Sequence, residues 1–143
     1  MRALLDVNVL IALLDDAHAH HGLARQWLGD NVARGWASCA LTQLGCVRVM
    51  ANASYPNPKP AAAVARRLTG ATQTAHHEFW PAEVNPLGAG VLDWSQLLSP
   101  RHSTDVYLLS LAVARGGRFV TFDAHVPWRA VRGATRESYV ALG

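Results

Sequence analysis

Two rhythms alternate along these 143 residues: short apolar runs of strand length, and longer stretches with apolar positions three and four apart. Arg2 to Leu5 is a short run that stops at Asp6, and Val7 to Asp15 changes to a helical pattern. This predicts a strand, an acid at its carboxyl end, then a helix. From His21 to Arg34, the residues Leu23, Ala24, Trp27, Leu28 and Val32 share one face of an amphipathic helix closed by Gly35. Trp36 to Leu41 reads as a second strand, and Thr42 as the cap of a helix through Gln43, Leu44, Val47 and Met50 that frays at Asn52. The prolines between Tyr55 and Pro60 enforce a loop, because each removes a donor and biases its predecessor away from the helix. Ala61 to Leu68 reads as a short helix ending at Gly70.

Further on, His76 to Trp80 is a strand stopped by Pro81, the stretch to Pro86 is irregular, and Leu87 to Leu98 is predicted as a short helix ended by Pro100. Ser103 or Thr104 caps the next helix. Its Val106, Leu108, Leu109, Leu111, Ala112 and Val113 are apolar nearly all round up to Gly116 and Gly117, so it is expected to be buried. Phe119 to Phe122 is a strand followed at once by Asp123, and Ser138 to Leu142 is a last, edge strand. Strands and helices alternate, with connections too long for hairpins. The pattern therefore predicts an α/β domain spanning 1–143, with a central, mostly parallel sheet flanked by helices on both faces.

Charge and composition narrow the chemistry. Thirteen Lys plus Arg against ten Asp plus Glu give a net charge of +3, a mild basic bias that suits a phosphate-bearing partner. The longest apolar run, Val9 to Leu14, is far below the roughly 20 residues needed to cross a bilayer. With no basic flank and cleavage site before it, the chain is expected to be soluble and cytoplasmic, with no membrane partner. Cys39 and Cys46 have neither a zinc spacing nor a disulfide framework and read as buried thiols. Lys59, the only lysine, lies between Pro58 and Pro60, which excludes a phosphate-binding P-loop. Gly88-Ala-Gly90 has neither a third glycine nor a leading strand, so no dinucleotide site follows, and no Gly-x-Ser-x-Gly elbow occurs.

Three of the scarce acids stand out by position: Asp6 just past the first strand, Asp105 in the first turn of the buried helix, and Asp123 just past a late strand. Each has an ordinary reading as a helix cap, a first-turn acid or a turn acid. A shared cleft at the carboxyl edge of a parallel sheet accounts for all three together. Two carboxylates about 5 Å apart repel by roughly 3 kcal/mol at an effective dielectric of about 20, so such a cluster needs a proton or a cation. Oxygen donors without Cys or His at ligand spacing imply Mg²⁺ or Mn²⁺, and a divalent ion in an acid pit with a basic exterior suits phosphodiester cleavage. Without Asp6, Asp105 and Asp123, seven acids face thirteen bases, a body of +6 around a pit of −3. A phosphatase with Asp6 as nucleophile is disfavoured, because Asn8 stands where a second acid is needed and no later lysine follows the proline loop.

Leu4-Leu-Asp-Val-Asn-Val-Leu10, Ser103-Thr-Asp-Val-Tyr-Leu-Leu109 and Val120-Thr-Phe-Asp123 resemble, in order and spacing, the three acidic motifs of PIN domains. The set is most similar to VapC-type toxins of bacterial toxin-antitoxin modules. Gln43-Leu-Gly-Cys-Val-Arg-Val49 and His77-Glu-Phe-Trp-Pro81 look like a mycobacterial-type branch. The resemblance implies a PIN fold and a Mg²⁺-dependent endoribonuclease acting on RNA as a toxin, with a cognate VapB-type antitoxin and a homodimer as partners. It implies Asp6 and Asp105 as principal metal ligands and Asp123 completing the site, with Asn8, Thr104 and Thr121 as supporting polar groups. Many PIN nucleases carry Glu at the start of the third helix where this chain has Gln43, which can still coordinate or orient a water but brings no charge. That departure leaves open a catalytically weak PIN-like RNA-binding or scaffold module.

Other signals rank lower. His18, His20 and His21 read as a solvated turn, since adjacent residues cannot share a helix face. His76 and His77 read as strand surface, and the tryptophans as core or partner contacts. Arg101 and His102 precede Asp105 closely enough to meet substrate phosphate.

Overall fold

The computed structural model describes residues 1–143. Its five strands are β1 (Ala3–Leu5), β2 (Trp36–Ser38), β3 (His77–Phe79), β4 (Arg118–Thr121) and β5 (Tyr139–Ala141). They form one sheet in the order β3-β2-β1-β4-β5, every neighbouring pair parallel. Five helices connect and cover them: α1 (Val7–Leu14), α2 (His21–Asn31), α3 (Ala40–Met50), α4 (Ala61–Thr72) and α5 (Ser103–Ala114). The expected α/β architecture is present, and the sheet is parallel throughout. No helix is long and apolar enough to cross a membrane.

Alternation of side chains along each strand sends successive residues to opposite faces. Leu4, Ala37 and Phe119 join Val106, Leu108, Leu109, Leu111 and Ala112 of α5 in one core. Ala3, Leu5, Trp36 and Val120 join Val9 and Leu10 of α1, Cys46 and Met50 of α3, and Val64 and Leu68 of α4 in the other. The central strand β1 is apolar and buried at every position because both of its faces are covered. Cys39 and Cys46 are buried free thiols, as their apolar surroundings predicted.

Several boundaries differ from the sequence reading. β2 ends at Ser38 rather than Leu41, because α3 starts at Ala40 with Cys39 as its N-cap. Thr42 is the residue that reaches back, its hydroxyl accepting from the Cys39 N–H at 3.0 Å. α4 runs through Gly70 to Thr72. α5 starts at Ser103 with His102 in the cap position and no capping side chain, and the Ser103 hydroxyl instead donates to the Pro100 carbonyl at 2.6 Å. The helix expected over Leu87 to Leu98 is absent apart from a single 3-10 turn, Trp94–Gln96. There the Asp93 carboxylate accepts from the Ser95 N–H and hydroxyl, and backbone groups pair across the chain: Asp93 N–H to the Ala130 carbonyl at 2.7 Å and Arg132 N–H to the Val91 carbonyl at 3.1 Å. Tertiary pairing and an Asx turn have taken the donors that a helix would use.

Gly117 leads into β4 where the chain passes closest to its neighbours. A Cβ there would lie 2.6 Å from the Arg2 carbonyl oxygen and 2.6 Å from the buried Trp80 ring. Because one obstacle is backbone, Gly117→Ala is expected to destabilise the fold by about 1–3 kcal/mol, lowering the melting temperature by roughly 3–10 °C in a calorimetric scan. An unchanged melting temperature would contradict this packing.

Candidate active site

β1 and β4 are adjacent in the middle of the sheet, with Leu5 opposite Val120, so Asp6 and Thr121 leave the same edge side by side. Asp6 is the N-cap of α1. One carboxylate oxygen accepts from the Val7 N–H at 2.7 Å, and the other accepts the Thr121 hydroxyl at 2.7 Å. Thr121 Oγ1 accepts in turn from Asn8 Nδ2 at 3.2 Å and from the Asp123 N–H at 3.1 Å. Asn8 Oδ1 accepts the Phe122 N–H at 3.2 Å. These bonds lock the end of β4 onto the first turn of α1.

Asp123 lies at the end of this network. Its Oδ1 accepts the His125 N–H at 2.8 Å, its Oδ2 is 3.2 Å from His102 Nε2, and the Tyr139 hydroxyl donates to its carbonyl. Asp105, in the first turn of α5, completes the group. One ligand atom each from His102, Asp105 and Asp123 all lie within 4.8 Å of one another.

The electrostatics separate the three acids. Burial pushes the Asp105 carboxyl up to about 6, the charges of Asp6 and Asp123 push it the same way, and His102 and Arg101 oppose them. Asp6 is also raised, by burial first, with the Thr121 and Val7 hydrogen bonds pulling against it and Asp123 adding repulsion. Asp123 is lowered, chiefly by the His125 N–H, with His102 and Arg101 helping. The three carboxylates thus feel one another across a single cleft, and two of them carry charge at a cost. A divalent cation fits this donor set: it would relieve the repulsion, and hard carboxylate oxygens suit Mg²⁺ or Mn²⁺.

The other residues singled out from the sequence divide. Asn8 and Thr121 stand in the network. Arg101 is exposed and close enough to lower both Asp105 and Asp123. His102 is buried against Asp123, a position among the acids, and its place three residues before an expected helical acid was the available signal. Gln43 is not among the acids. Its Nε2 donates to Ser38 Oγ at 3.0 Å, and that hydroxyl lies 2.8 Å from His77 Nε2, so Gln43 ties α3 to β2 and β3. Thr104 is exposed in a groove with Leu41, Val84, Trp94 and Tyr107, and no hydrogen bond links it to the acids. His77 is half-buried rather than plain strand surface, and burial lowers its pKa, which favours the neutral ring.

The profile of the PIN domain family matches residues 3–133. Ribonuclease VapC44 of Mycobacterium tuberculosis (strain H37Rv) is 52% identical over 142 residues, covering 99% of this chain and 100% of that protein. Ribonuclease VapC39 of the same strain is 42% identical over 126 residues, covering 87% and 90%. Among solved structures, M. tuberculosis VapC20, described as a sarcin-ricin loop cleaving toxin, superposes with a TM-score of 0.61 at 12% identity, covering 92% of this chain and 98% of that one. VapBC2 from Rickettsia felis, solved bound to a DNA fragment from their promoter, gives a TM-score of 0.58 at 12% identity, with both chains fully covered. At that identity the two structures speak to the fold alone.

The raised Asp105 carboxyl fixes the sign of a pH effect. Its value in the folded protein lies above its ordinary 3.8, so ionising it costs stability; the cost is absent below about 4 and complete above about 6. In metal-free protein, Asp105→Asn is expected to be more stable than the wild type at pH 8, by about 1–2 kcal/mol once solvent screening of this half-exposed group is allowed for. Denaturant melts in EDTA should show that gap narrowing by pH 5, and a gap independent of pH would contradict the charge cluster.

Proposed function

The chain belongs to the PIN domain family, in its VapC ribonuclease branch, and from that premise we propose that it is a metal-dependent endoribonuclease, the toxin of a type II toxin-antitoxin module. The observation that carries the reading is the closeness of Asp105 and Asp123, with the charge of Asp6 felt by Asp105 across the same cleft. Asp105 is held up to about 6 in part by the other two, an arrangement that works against itself unless a cation joins it. We read 1–143 as a single catalytic domain, cytoplasmic, with RNA as substrate, a VapB-type antitoxin as partner and a homodimer as the assembly.

In this reading Asp6, Asp105 and Asp123 hold Mg²⁺, with Mn²⁺ able to replace it. When bound, the ion supplies the positive charge that orients and acidifies an attacking water and offsets negative charge developing on phosphate and leaving oxygen. The chain's own residues do the rest. Bonds from Val7 and Thr121 to its two oxygens stop the Asp6 carboxylate from rotating, so its remaining lone pairs keep a fixed direction. Asn8 holds Thr121 and the Phe122 amide, and His102 with the His125 N–H orients Asp123. Arg101, exposed beside the acids, would meet the substrate phosphate. The hydrolysis gives the hydroxyl of water to phosphorus and its hydrogen to the departing ribose oxygen.

Gln43 favours a second reading, a catalytically weak RNA-binding module, because it brings no fourth charge and its amide is engaged by Ser38. One assay separates the two. Asp6→Asn and Asp105→Asn are each expected to lower Mg²⁺-dependent RNA cleavage by about two orders of magnitude or more, and to remove growth inhibition on induction, with the fold intact. EDTA should stop the wild type. Cleavage retained in both variants, or absent from the wild type, would defeat the nuclease reading. Mg²⁺ is also expected to raise the wild-type melting temperature more than that of Asp105→Asn; equal shifts would argue against a shared ion.

A further inference from the structure

The histidines that follow α1 have no part in the acid site, yet one of them reaches its rim. His20 is exposed, and its ring stacks on Phe122 with centroids 4.9 Å apart and planes 24° from parallel. The His18 ring follows, 5.8 Å from His20 and tilted by 45°, with its Nδ1 accepting the His20 N–H at 3.0 Å. His21 turns inward instead, its Nδ1 2.7 Å from the Ala12 carbonyl oxygen. The three histidines therefore do not converge as a metal site.

Phe122 gives this row of rings its address. It stands between Thr121, bonded to Asp6, and Asp123, beside His102, with its own amide held by Asn8. One side of Phe122 packs against the core shared by β1, β4, α1, α3 and α4. The inner end of the row is thus fixed to the acid cluster, while its outer rings stand at the surface. Phe122 is covered by His20 and by the core, so the ring left for an unpaired nucleobase is that of exposed His20, whose π-face accepts any base. Duplex bases keep their faces covered by their neighbours and could not use it. Charge favours a nucleic acid over a protein segment here: thirteen bases face ten acids in the chain, and exposed Arg101 stands beside Asp123 for the backbone.

We propose that Phe122, His20 and His18 form a ladder of rings in which exposed His20, backed by Phe122, receives an unstacked base of a single-stranded RNA segment next to the phosphate at the acid site. The proposal rests on the ribonuclease reading for the position of that phosphate. It makes His20 a positioning residue that sets which RNA shapes can be cut, those with unstacked bases beside the scissile bond.

The test is a set of mixed-sequence RNA decamers, each with 2-aminopurine at a different position, titrated into the full chain. Asp105→Asn is present in every protein of the titration so that the RNA survives. Stacking quenches 2-aminopurine, so quenching is expected at one or a few positions. His20→Ala should remove it and weaken binding about tenfold. His20→Tyr should restore both, and the melting temperature of His20→Ala should stay within about 2 °C of its parent. Equal quenching and affinity in His20→Ala, failure of His20→Tyr to restore them, or no quenching at any position would overturn the ladder. Cleavage of the same decamers by the chain with Asp105 intact, run alongside, reports on the nuclease reading separately. Cutting without His20-dependent quenching sinks the ladder alone, and quenching without cutting sinks the nuclease alone.

Discussion

The pairing of β1 with β4 is the constraint on which the rest depends. Leu5 opposite Val120 sets the register, and the register decides that Asp6 meets Thr121 rather than an apolar neighbour. A slip of one residue would turn every side chain of β4 to the other face, sending Phe119 and Val120 into the wrong cores and Thr121 away from Asp6. The two apolar cores therefore do more than stabilise the sheet. They fix, through strand alternation, which group meets the Asp6 carboxylate at the end of β1.

Around that pairing the chain builds a site in which each acid has a different environment. Asp6 is buried and doubly hydrogen-bonded, Asp105 is pushed up to about 6 by burial first and by its acidic neighbours second, and Asp123 is favoured as the anion by a backbone N–H and His102. The short polar chain through Asn8, Thr121 and the Phe122 amide lets α1 and β4 carry the geometry on regular elements rather than on a free loop.

Much of this was legible because it obeys local rules. The alternation of apolar runs with helical patterns foretold the parallel sheet, and Asp6, Asp105 and Asp123 stood out because each interrupts or borders an apolar run. What escaped the sequence was decided at long range. Leu87 to Leu98 carries a helical pattern, but Asp93 turns on Ser95 and the chain pairs with Val131 and its neighbours, contacts that no local window contains. Gln43 lies on the expected helix, yet its direction depends on Ser38 and on His77 from another strand. His20 looked like part of a solvated turn, and only the fold brings Phe122 beneath it.

The strand made first ends in the centre of the sheet. β1 can pair with β2 early in synthesis, but its other edge stays bare until β4 is made, some hundred residues later. Until then Asp6 lacks the Thr121 hydroxyl, and Asp123 does not yet exist to face Asp105. A chain still on the ribosome, or cut short before β4, therefore holds Asp6 without its Thr121 partner. The strand order means that the acid cluster can assemble only in a nearly finished molecule.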